Sequence, residues 1–107
     1  MIDRSQLMKG TLEGCILKII SKEETYGYEI VSKLQNYGFT EVKEGTIYPL
    51  LVRLETKKIV SSSFKESPFG PKRKYYRLTS LGEAMLLAFI DVWNDVKNSV
   101  DKIIMEA

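Results

Sequence analysis

The 107-residue sequence predicts a mainly α-helical fold with one small β-hairpin and a long C-terminal helix. Three observations lead to this prediction. Apolar residues recur with helical spacing in three successive stretches, the segment from residue 59 to residue 79 alternates with period two, and a seam of nearly heptad spacing comes after it. A chain of this length suffices for one domain with its own core.

The first two helices are predicted from their apolar spacing and their end signals. Residues 6–21 form the first helix, with an apolar stripe at Met8, Leu12, Cys15, Ile16, Ile19 and Ile20. Thr25 is expected to cap the second helix, which runs from Tyr26 to about Tyr37, because a threonine hydroxyl satisfies free backbone N–H groups. Gly38 is expected to end it, because glycine adopts the left-handed conformation that closes helices.

The third predicted helix covers residues 44–57 and has two chemically different faces. Its inward stripe has the i, i+3, i+4, i+7 spacing of a buried helix face and consists of Ile47, Leu50, Leu51 and Leu54. The outward face carries a hydroxyl, an apolar branch and a guanidinium, from Thr46, Val52 and Arg53. Such groups read base edges in a major groove. Because Pro49 lacks an N–H, we expect a kinked or tightened first turn rather than two separate helices.

A β-hairpin is predicted after the third helix. Residues 59–64 and 72–79 have the alternation of strands, and residues 66–71, which contain proline and glycine, are predicted to be the tip. Along the second strand, alternation places Tyr76 and Leu78 toward the core and the arginines outward. The aromatic and apolar side chains are thus expected to anchor the hairpin.

Positive charge is concentrated in this hairpin. The chain has a net charge of +2, but residues 61–80 alone contain five basic side chains and one acidic one. A local excess of positive charge beside a helix with a polar outer face is typical of nucleic-acid contact. The three helices and the basic hairpin together predict a winged helix-turn-helix that binds double-stranded DNA.

A fourth helix is predicted from Thr79 or Ser80, because Ser80 and Glu83 have capping-box spacing. If it runs from Leu81 to Ala107, the rod is about 40 Å long. A rod of that length exceeds what so small a domain can cover, so its apolar face is expected to pack on a second copy in a symmetric dimer. The residues expected in that interface are Met85, Phe89, Val92, Trp93, Val96, Val100 and Ile103.

The composition excludes most kinds of catalytic and metal site. The sequence has no histidine and one cysteine, so it has no imidazole-based triad, no Cys/His zinc site and no internal disulfide. Cys15 lies within an apolar stripe and is expected to be buried. The sequence also lacks a glycine-rich phosphate loop and a nucleophile elbow. We therefore expect no enzyme activity, no metal and no cofactor.

Neither a leader peptide nor a membrane span is expected. The first residues lack the apolar core of a secretory signal, and no stretch approaches the roughly 20 apolar residues that cross a bilayer. A single cysteine also fits a reducing compartment. The expected location is the cytoplasm, with no membrane partner.

A series of motifs resembles the PadR family of bacterial transcriptional regulators, in its short form with a single C-terminal helix. No single motif is specific, but their order at winged-helix spacing is. The similar segments cover nearly the whole chain and are Leu12–Leu17, Tyr26–Ile30, Glu44–Leu51, Arg53–Glu55, Gly70–Tyr76 and Leu78–Gly82.

The resemblance implies a homodimeric winged helix-turn-helix repressor that binds a palindromic operator. Its recognition helix, about residues 44–57, would lie in the major groove, and its wing, about residues 60–79, over the adjacent minor groove or backbone. Residues 1–79 would form the DNA-binding domain and residues 80–107 the dimerisation helix. By position, the motif residues nearest DNA are Tyr26, Thr46, Tyr48, Pro49 and Arg53, with Lys72, Arg73 and Lys74 on the wing.

One position departs from the pattern of the family. The family usually has a glycine before the first strand of the wing, where this chain has Lys58. A lysine in a left-handed turn costs on the order of 1 kcal/mol. We therefore expect a turn of another shape at this point.

Trp93 has two interpretations. It could fill the dimer seam like its apolar neighbours. In some members of the resembling family, a tryptophan near this position faces its mate across a pore that admits flat aromatic compounds. In that case Trp93, together with Phe89, would bind a small aromatic effector by stacking.

The proposed DNA contacts also have structural alternatives. Arg53 could pair with Glu55 or Glu44 on its own helix, and Thr46 could cap the helix backbone. The two tyrosine rings could pack at the edge of the domain, and the basic hairpin could simply be solvated.

The alternative function is a winged-helix module that binds another protein and no DNA. Tyr48, Pro49 and Val52 would then form an apolar patch for the partner, and the basic wing would be incidental. The concentration of positive charge in the wing argues against this alternative.

Overall fold

The computed structural model describes residues 3–106, and within them the chain forms five α-helices and three β-strands. The helices are α1 (Arg4–Met8), α2 (Leu12–Lys22), α3 (Gly27–Asn36), α4 (Glu44–Thr56) and α5 (Ser80–Ile104), with a 3-10 turn at Lys9–Thr11. The strands are β1 (Thr25–Tyr26), β2 (Val60–Ser67) and β3 (Gly70–Leu78). In this part of the chain no helix is both long enough and apolar enough to cross a membrane.

Helices α2, α3 and α4 surround one core, and the strands pack against it. The strands form an antiparallel sheet in the order β1-β3-β2. The most deeply buried apolar side chains come from the three helices and the sheet and are Ile16, Ile30, Leu34, Ile47, Leu51, Leu54 and Val60. The predicted fold class, mainly α-helical with a small β-hairpin, is confirmed.

The predicted first helix is interrupted. Instead of one helix over residues 6–21, α1 ends at Met8 and α2 begins at Leu12, with the 3-10 turn between them. Gly10 lies in that turn, and glycine weakens a helix interior because it has more backbone freedom to lose. The hydroxyl of Thr11 also donates a 2.7 Å hydrogen bond to the Met8 carbonyl, which supports the tighter turn.

Thr25 begins a strand rather than capping a helix, so that prediction is wrong. Its backbone pairs with Tyr76 of β3, and its buried hydroxyl donates a hydrogen bond to the carboxylate of Glu29. Helix α3 accordingly starts at Gly27, with Tyr26 in the cap position and no side-chain cap. Pairing with a strand that is distant in sequence therefore overrides the local capping preference.

Gly38 ends α3 as predicted, in the left-handed conformation with a φ of +113°. The N–H groups of Gly38 and Phe39 donate to the carbonyls of Gln35 and Leu34, at 3.1 and 2.9 Å. These paired bonds are those of a Schellman motif, which satisfies carbonyls left free at a helix end.

Helix α4 is a single helix that contains Pro49, as the sequence predicts. Its first turn is tightened, because the N–H groups of Thr46 and Ile47 both donate to the carbonyl of Lys43, at 3.0 and 3.2 Å. The bond from Thr46 spans three residues, which is the spacing of a 3-10 turn. The proline is thus accommodated without splitting the helix.

Helix α4 ends in the left-handed turn that the sequence analysis did not expect. Lys58 has a φ of +61°, and within residues 3–106 it is the one non-glycine residue with a positive φ. The N–H groups of Lys58 and Ile59 donate to the carbonyls of Glu55 and Leu54, both at 2.9 Å. The expectation of another turn shape is therefore wrong, because these two hydrogen bonds and the burial of Ile59 outweigh a strain of roughly 1–2 kcal/mol.

Replacing Lys58 with glycine should raise the free energy of unfolding by about 0.5–1 kcal/mol. Glycine removes the left-handed strain, and its greater freedom in the unfolded chain offsets part of that gain. Urea denaturation followed by circular dichroism measures the difference. Lys57→Gly is the matched control, because Lys57 has a φ of −81° and should lose stability instead. A Lys58→Gly variant no more stable than the parent contradicts the strain.

The hairpin is longer than predicted and its tip is shorter. Strands β2 and β3 pair as far as Ser67 and Gly70, so only Pro68 and Phe69 lie between them. The tip predicted over residues 66–71 is therefore too long. A register shift just before Ser67 lets the antiparallel ladder continue up to this two-residue turn.

The side chains of β3 alternate as predicted. Tyr76 is buried and Leu78 is half-buried, whereas Arg77 between them is exposed. The aromatic and apolar residues thus anchor the hairpin to the helical core, and the charged residue points away from it.

Helix α5 begins at Ser80, within the predicted start at Thr79 or Ser80, but Thr79 rather than Ser80 caps it. The hydroxyl of Thr79 accepts a 3.1 Å hydrogen bond from the N–H of Gly82, so the capping box at Ser80 and Glu83 is wrong. The same hydroxyl lies 2.9 Å from the carbonyl of Ile59, to which it can donate. This second contact favours Thr79 over Ser80, because it also joins the start of α5 to the end of α4.

Only the first turns of α5 pack on the rest of the chain. Gly82 and Leu86 are its buried residues in the described part of the chain. Phe89 lies across Gly14 of α2, where an added Cβ would come within 2.3 Å of the ring. Beyond this crossing the helix continues with exposed apolar side chains. The last residue predicted for this helix, Ala107, lies outside the described residues.

Candidate nucleic-acid interface

The outer face of α4 is exposed, as the sequence predicts. Thr46, Pro49, Val52 and Arg53 are all exposed on it, whereas Ile47, Leu51 and Leu54 on the opposite face are buried. The capping role considered for Thr46 is not observed, because the cap position is Lys43. A hydroxyl, a proline ring, an isopropyl group and a guanidinium are therefore presented side by side to the solvent.

Arg53 pairs with a carboxylate that sequence reasoning missed. Its Nη1 lies 3.5 Å from Oε1 of Glu13 on α2, rather than beside Glu55 or Glu44. That oxygen of Glu13 is buried and has no hydrogen-bond partner among the described residues. The arginine side chain remains 55% exposed, so one nitrogen of the guanidinium is paired while much of the side chain stays accessible.

Tyr48 packs on the start of α3. An added Cβ at Gly27 would lie 2.5 Å from Cε1 of the Tyr48 ring, so only glycine allows this contact. Burial raises the pKa of the Tyr48 hydroxyl, and the carboxylate of Glu44 raises it further. The phenol therefore stays protonated at neutral pH and can donate a hydrogen bond to a phosphate oxygen. The ring is still 43% exposed, so both the packing and the contact interpretations of Tyr48 are compatible with its position.

Tyr26 and three residues of the hairpin form a layer on the outer face of the sheet. The guanidinium of Arg73 lies 4.5 Å from the centroid of the Tyr26 ring. The rings of Tyr26 and Tyr75 meet edge to face at 5.3 Å, and Nζ of Lys65 lies 5.3 Å from the Tyr75 ring. Such cation–π contacts contribute about 0.5–1 kcal/mol each at exposed sites. Tyr26 and Arg73, which the sequence analysis named separately, are thus brought together.

Lys74 connects the wing to α4 through Glu55. Its Nζ lies 2.7 Å from Oε1 of Glu55, and the hydroxyl of Ser62 donates to the other oxygen of the same carboxylate. The hydrogen bond from Lys74, followed by that from Ser62, lowers the pKa of the Glu55 carboxyl. The same bond raises the pKa of Lys74. This arrangement links the hairpin to α4 and restricts the angle between them.

Glu55→Gln should reduce the loss of stability in acid. The lowered pKa means that the charged carboxylate adds stability above its unfolded pKa of about 4.3, and that this stability is lost as the pH falls through the lower folded value. Unfolding free energies measured between about pH 6 and 3 should therefore fall less steeply in Glu55→Gln than in the parent. Glu66→Gln is the control, because Glu66 is 82% exposed and lies 3.8 Å from Lys72. Equal slopes in all three proteins contradict this role of Glu55.

The remaining wing cations are accessible to a partner. Lys72 is 61% exposed and Arg77 is exposed. Lys65 instead pairs with Glu24, the residue just before β1. Oε1 of Glu24 is buried, and it is the oxygen that Lys65 contacts. Carboxylates from the helical core thus position the wing lysines nearest to it, and the cations farther along the hairpin face the solvent.

Among residues 3–106 there is no group of three or more side chains that could hold a metal ion. Cys15 is half-buried rather than fully buried, and desolvation raises the pKa of its thiol. A thiol with a raised pKa is a poor nucleophile at neutral pH.

Comparison with known proteins places this geometry in a family. The model of the transcriptional regulator PadR-like family matches residues 16–88. A PadR-like transcriptional regulator of Bacillus cereus, with a crystal structure, is 48% identical, and the alignment covers 96% of this chain and 100% of that one at a TM-score of 0.89. A Streptococcus transcriptional regulator is 44% identical, with 92% and 96% covered and a TM-score of 0.83.

An uncharacterised protein of Lysinibacillus sphaericus is 40% identical over 101 residues, which are 92% of this chain and 92% of that protein. The matched family segment includes α3, α4, the hairpin and the first turns of α5, so it contains the whole face described above. The resemblance noted from the motifs is confirmed: the chain belongs to the PadR-like family of transcriptional regulators, which act on DNA rather than as enzymes.

Proposed function

We propose that the protein is a homodimeric repressor that binds a palindromic operator. Helix α4 enters the major groove, and the wing formed by β2 and β3 lies on the adjacent minor groove or backbone. The observation that carries the proposal is the exposed outer face of α4, with the guanidinium of Arg53 paired to Glu13, next to a wing with an excess of positive charge. A regulator of this kind acts in the bacterial cytoplasm.

The residues proposed to contact DNA divide into two groups. On α4, Thr46 and Arg53 contact base edges, and Pro49 packs in the major groove between them. Tyr26 and Tyr48 bind phosphate oxygens through their hydroxyls, since phosphate contacts position a protein on the duplex. The cations of the wing that complete the phosphate contacts are Lys72, Arg73 and Lys74.

The dimer is proposed to form through α5. Residues 1–79 are the DNA-binding domain and residues 80–107 the dimerisation helix in this proposal. The apolar side chains on one side of α5 are exposed in the single chain, with Val92 at 58% and Val96 at 49%. A two-fold symmetric pair covers them and presents two copies of α4 to half-sites about 34–36 Å apart. The proposed interface residues are Met85, Phe89, Val92, Trp93, Val96, Val100 and Ile103.

A small aromatic effector is proposed to release the repressor. Trp93 is 43% exposed, so its indole can stack on a planar ligand at the interface between the two copies of α5. Phe89 borders the same site and packs on Gly14, which connects the ligand to the DNA-binding domain. The effector acts by preferring a dimer in which the recognition helices are wrongly spaced for the two half-sites.

A salt-titrated binding assay tests the proposal, with DNA from upstream of the protein's own gene as the probe. A dimer with about 6–10 phosphate contacts should lose about 10³–10⁵ in affinity between 50 and 200 mM salt. Arg53→Ala should lose about 5–150-fold on this DNA while keeping its affinity for unrelated duplexes, because one good base contact is worth about 1–3 kcal/mol.

Lys97→Ala is the control for Arg53→Ala, because it removes one exposed charge from α5 outside the proposed interface with DNA. It should bind both duplexes like the parent. Equal losses on specific and unrelated DNA in Arg53→Ala would show that Arg53 attracts phosphate and reads no base. Weak salt dependence of the parent protein contradicts DNA binding by this face.

The protein-interaction module is the second candidate, and the exposure of two apolar side chains on the recognition face favours it. Tyr48 is 43% exposed and Val52 is 60% exposed, and both lie on the same side of α4. Replacing Lys72 and Arg73 by alanine separates the candidates. Uniformly weaker binding to all duplexes supports the repressor, whereas unchanged binding, or none in the parent, supports the protein-interaction module.

A further inference from the structure

We propose that Phe69 is an apolar wedge that the wing inserts into the minor groove beside the operator half-site. This inference rests on the proposed function and adds a residue and a mode of recognition to it. Phe69 is 95% exposed and, with Pro68, forms the two-residue tip of the hairpin. It lies farther along the hairpin than the cations that the proposed function assigns to phosphate contact.

The fold gives no reason for a phenylalanine at this position. Tight turns favour glycine, asparagine, aspartate or serine, whose side chains or backbone freedom support the turn. Phe69 buries almost none of its surface, so it adds nothing to the core. Exposing an aromatic ring to water instead forgoes the stabilisation that its burial would contribute. A partner that covers the ring would recover this energy.

The backbone that carries the ring is constrained on both sides of the tip. Pro68 fixes its own backbone φ, and the last paired residues, Ser67 and Gly70, flank the turn directly. The register shift between Lys65 and Ser67 increases the local twist of the strand and re-aims the turn beyond it. The ring is therefore carried by a paired, twisted ladder rather than by a long loop.

Charge complementarity identifies the partner as a nucleic acid. The hairpin carries four more basic than acidic side chains between residues 61 and 80, and Lys72 close to the tip is 61% exposed. A tip that is both basic and apolar suits the minor groove, where lysine and arginine meet the phosphates and an apolar side chain inserts between base steps. An apolar protein surface would offer no partner for these charges.

Insertion has a consequence for the sequence that the protein prefers. A wedge partly unstacks a base step and bends the duplex by about 20–90° toward the major groove. Pyrimidine–purine steps unstack most easily, so they are preferred at the position under the tip although no hydrogen bond reads them. Phe69 thus supplies specificity by shape outside the segment that α4 contacts.

The test compares Phe69→Ala with Phe64→Ala on duplex DNA from upstream of the protein's own gene. Phe64 is the matched control, because it is a second exposed phenylalanine, 65% accessible, on β2 of the same hairpin. Phe69→Ala should lower affinity about tenfold, within the range of base–aromatic stacking, while the slope of affinity against salt stays unchanged. It should also reduce DNA bending measured by circular permutation. Phe64→Ala should match the parent in both measurements.

A direct contact is measured by comparing the fluorescence of Phe69→Trp with that of the parent, whose one tryptophan is Trp93. Duplex DNA should quench and shift the additional emission of the variant, and a duplex with a pyrimidine–purine step under the tip should do so more strongly. Phe69→Ala that binds and bends DNA like the parent overturns the wedge while leaving the repressor intact. A parent protein that binds no duplex in dilute buffer overturns both.

Discussion

Replacing Gly82 with alanine should destabilise the protein by about 3 kcal/mol, at the upper end of the usual cost of overpacking. An added Cβ would lie 2.1 Å from the carbonyl oxygen of Ile59 and 3.4 Å from Cβ of Leu78. The first of these atoms belongs to the backbone, so no side-chain rotation relieves the overlap. The same oxygen accepts hydrogen bonds from Thr79, at 3.1 Å to its N–H. Moving it therefore also weakens the cap of α5.

Urea denaturation of Gly82→Ala and Gly45→Ala measures this effect against a matched control. Gly45 is also a helical glycine, but an added Cβ there meets nothing within 4 Å. Alanine at Gly45 should be neutral or more stable by up to about 1 kcal/mol, because alanine has the higher helix propensity. If the two variants unfold at the same urea concentration, the close contact between Gly82 and the Ile59 carbonyl is contradicted.

Val96→Asp should convert the proposed dimer into single subunits at micromolar concentration. Val96 lies in the middle of the exposed apolar side of α5, and two-fold symmetry would bring two such carboxylates into one apolar seam. Burial of unpaired charges costs several kcal/mol. A cost of about 4 kcal/mol raises the dimer Kd roughly a thousandfold.

Sedimentation equilibrium of the parent, Val96→Asp and Asn98→Asp measures this change. Asn98 is exposed and lies two residues further along α5, which places it on the opposite side of the helix. Asn98→Asp should remain a dimer. A parent protein that sediments as a single subunit at micromolar concentration would falsify the dimer. It would also contradict the proposal that two copies of α4 bind the two half-sites of one operator.

The recognition helix and the hairpin were predictable because local periodicity decides them. The apolar residues from Ile47 to Leu54 all fall on one face when the segment is helical. The alternation along β3 places the side chain of Tyr76 toward the core. The exposure of Arg53 follows from the same helical stripe, and that of Arg77 from the alternation along β3. Lys72 and Arg73 were assigned to the wing by the family resemblance instead; Lys72 is exposed, whereas Arg73 is half-buried.

The wrong predictions at Thr25 and Ser80 and the missed partner of Arg53 share a physical cause: contacts between residues far apart in sequence. Thr25 has the composition of a cap, but its pairing with Tyr76 makes it a strand residue. Thr79 and Ser80 are equally good caps locally, and the nearby carbonyl of Ile59 decides between them. For the same reason the carboxylate of Glu13 beside Arg53 has no signature in a local sequence window.

Phe89 crosses Gly14 near the point where α5 leaves the rest of the chain. From Phe89 to Ile104, α5 extends about 22 Å at 1.5 Å per residue. A rotation of about 10° at the crossing would therefore move the far end by about 4 Å, close to the 3.4 Å rise per nucleotide along one DNA strand. In the proposed dimer, the contact between one glycine and one aromatic ring would thus set how far a slight rotation within a subunit shifts the two copies of α4 relative to each other.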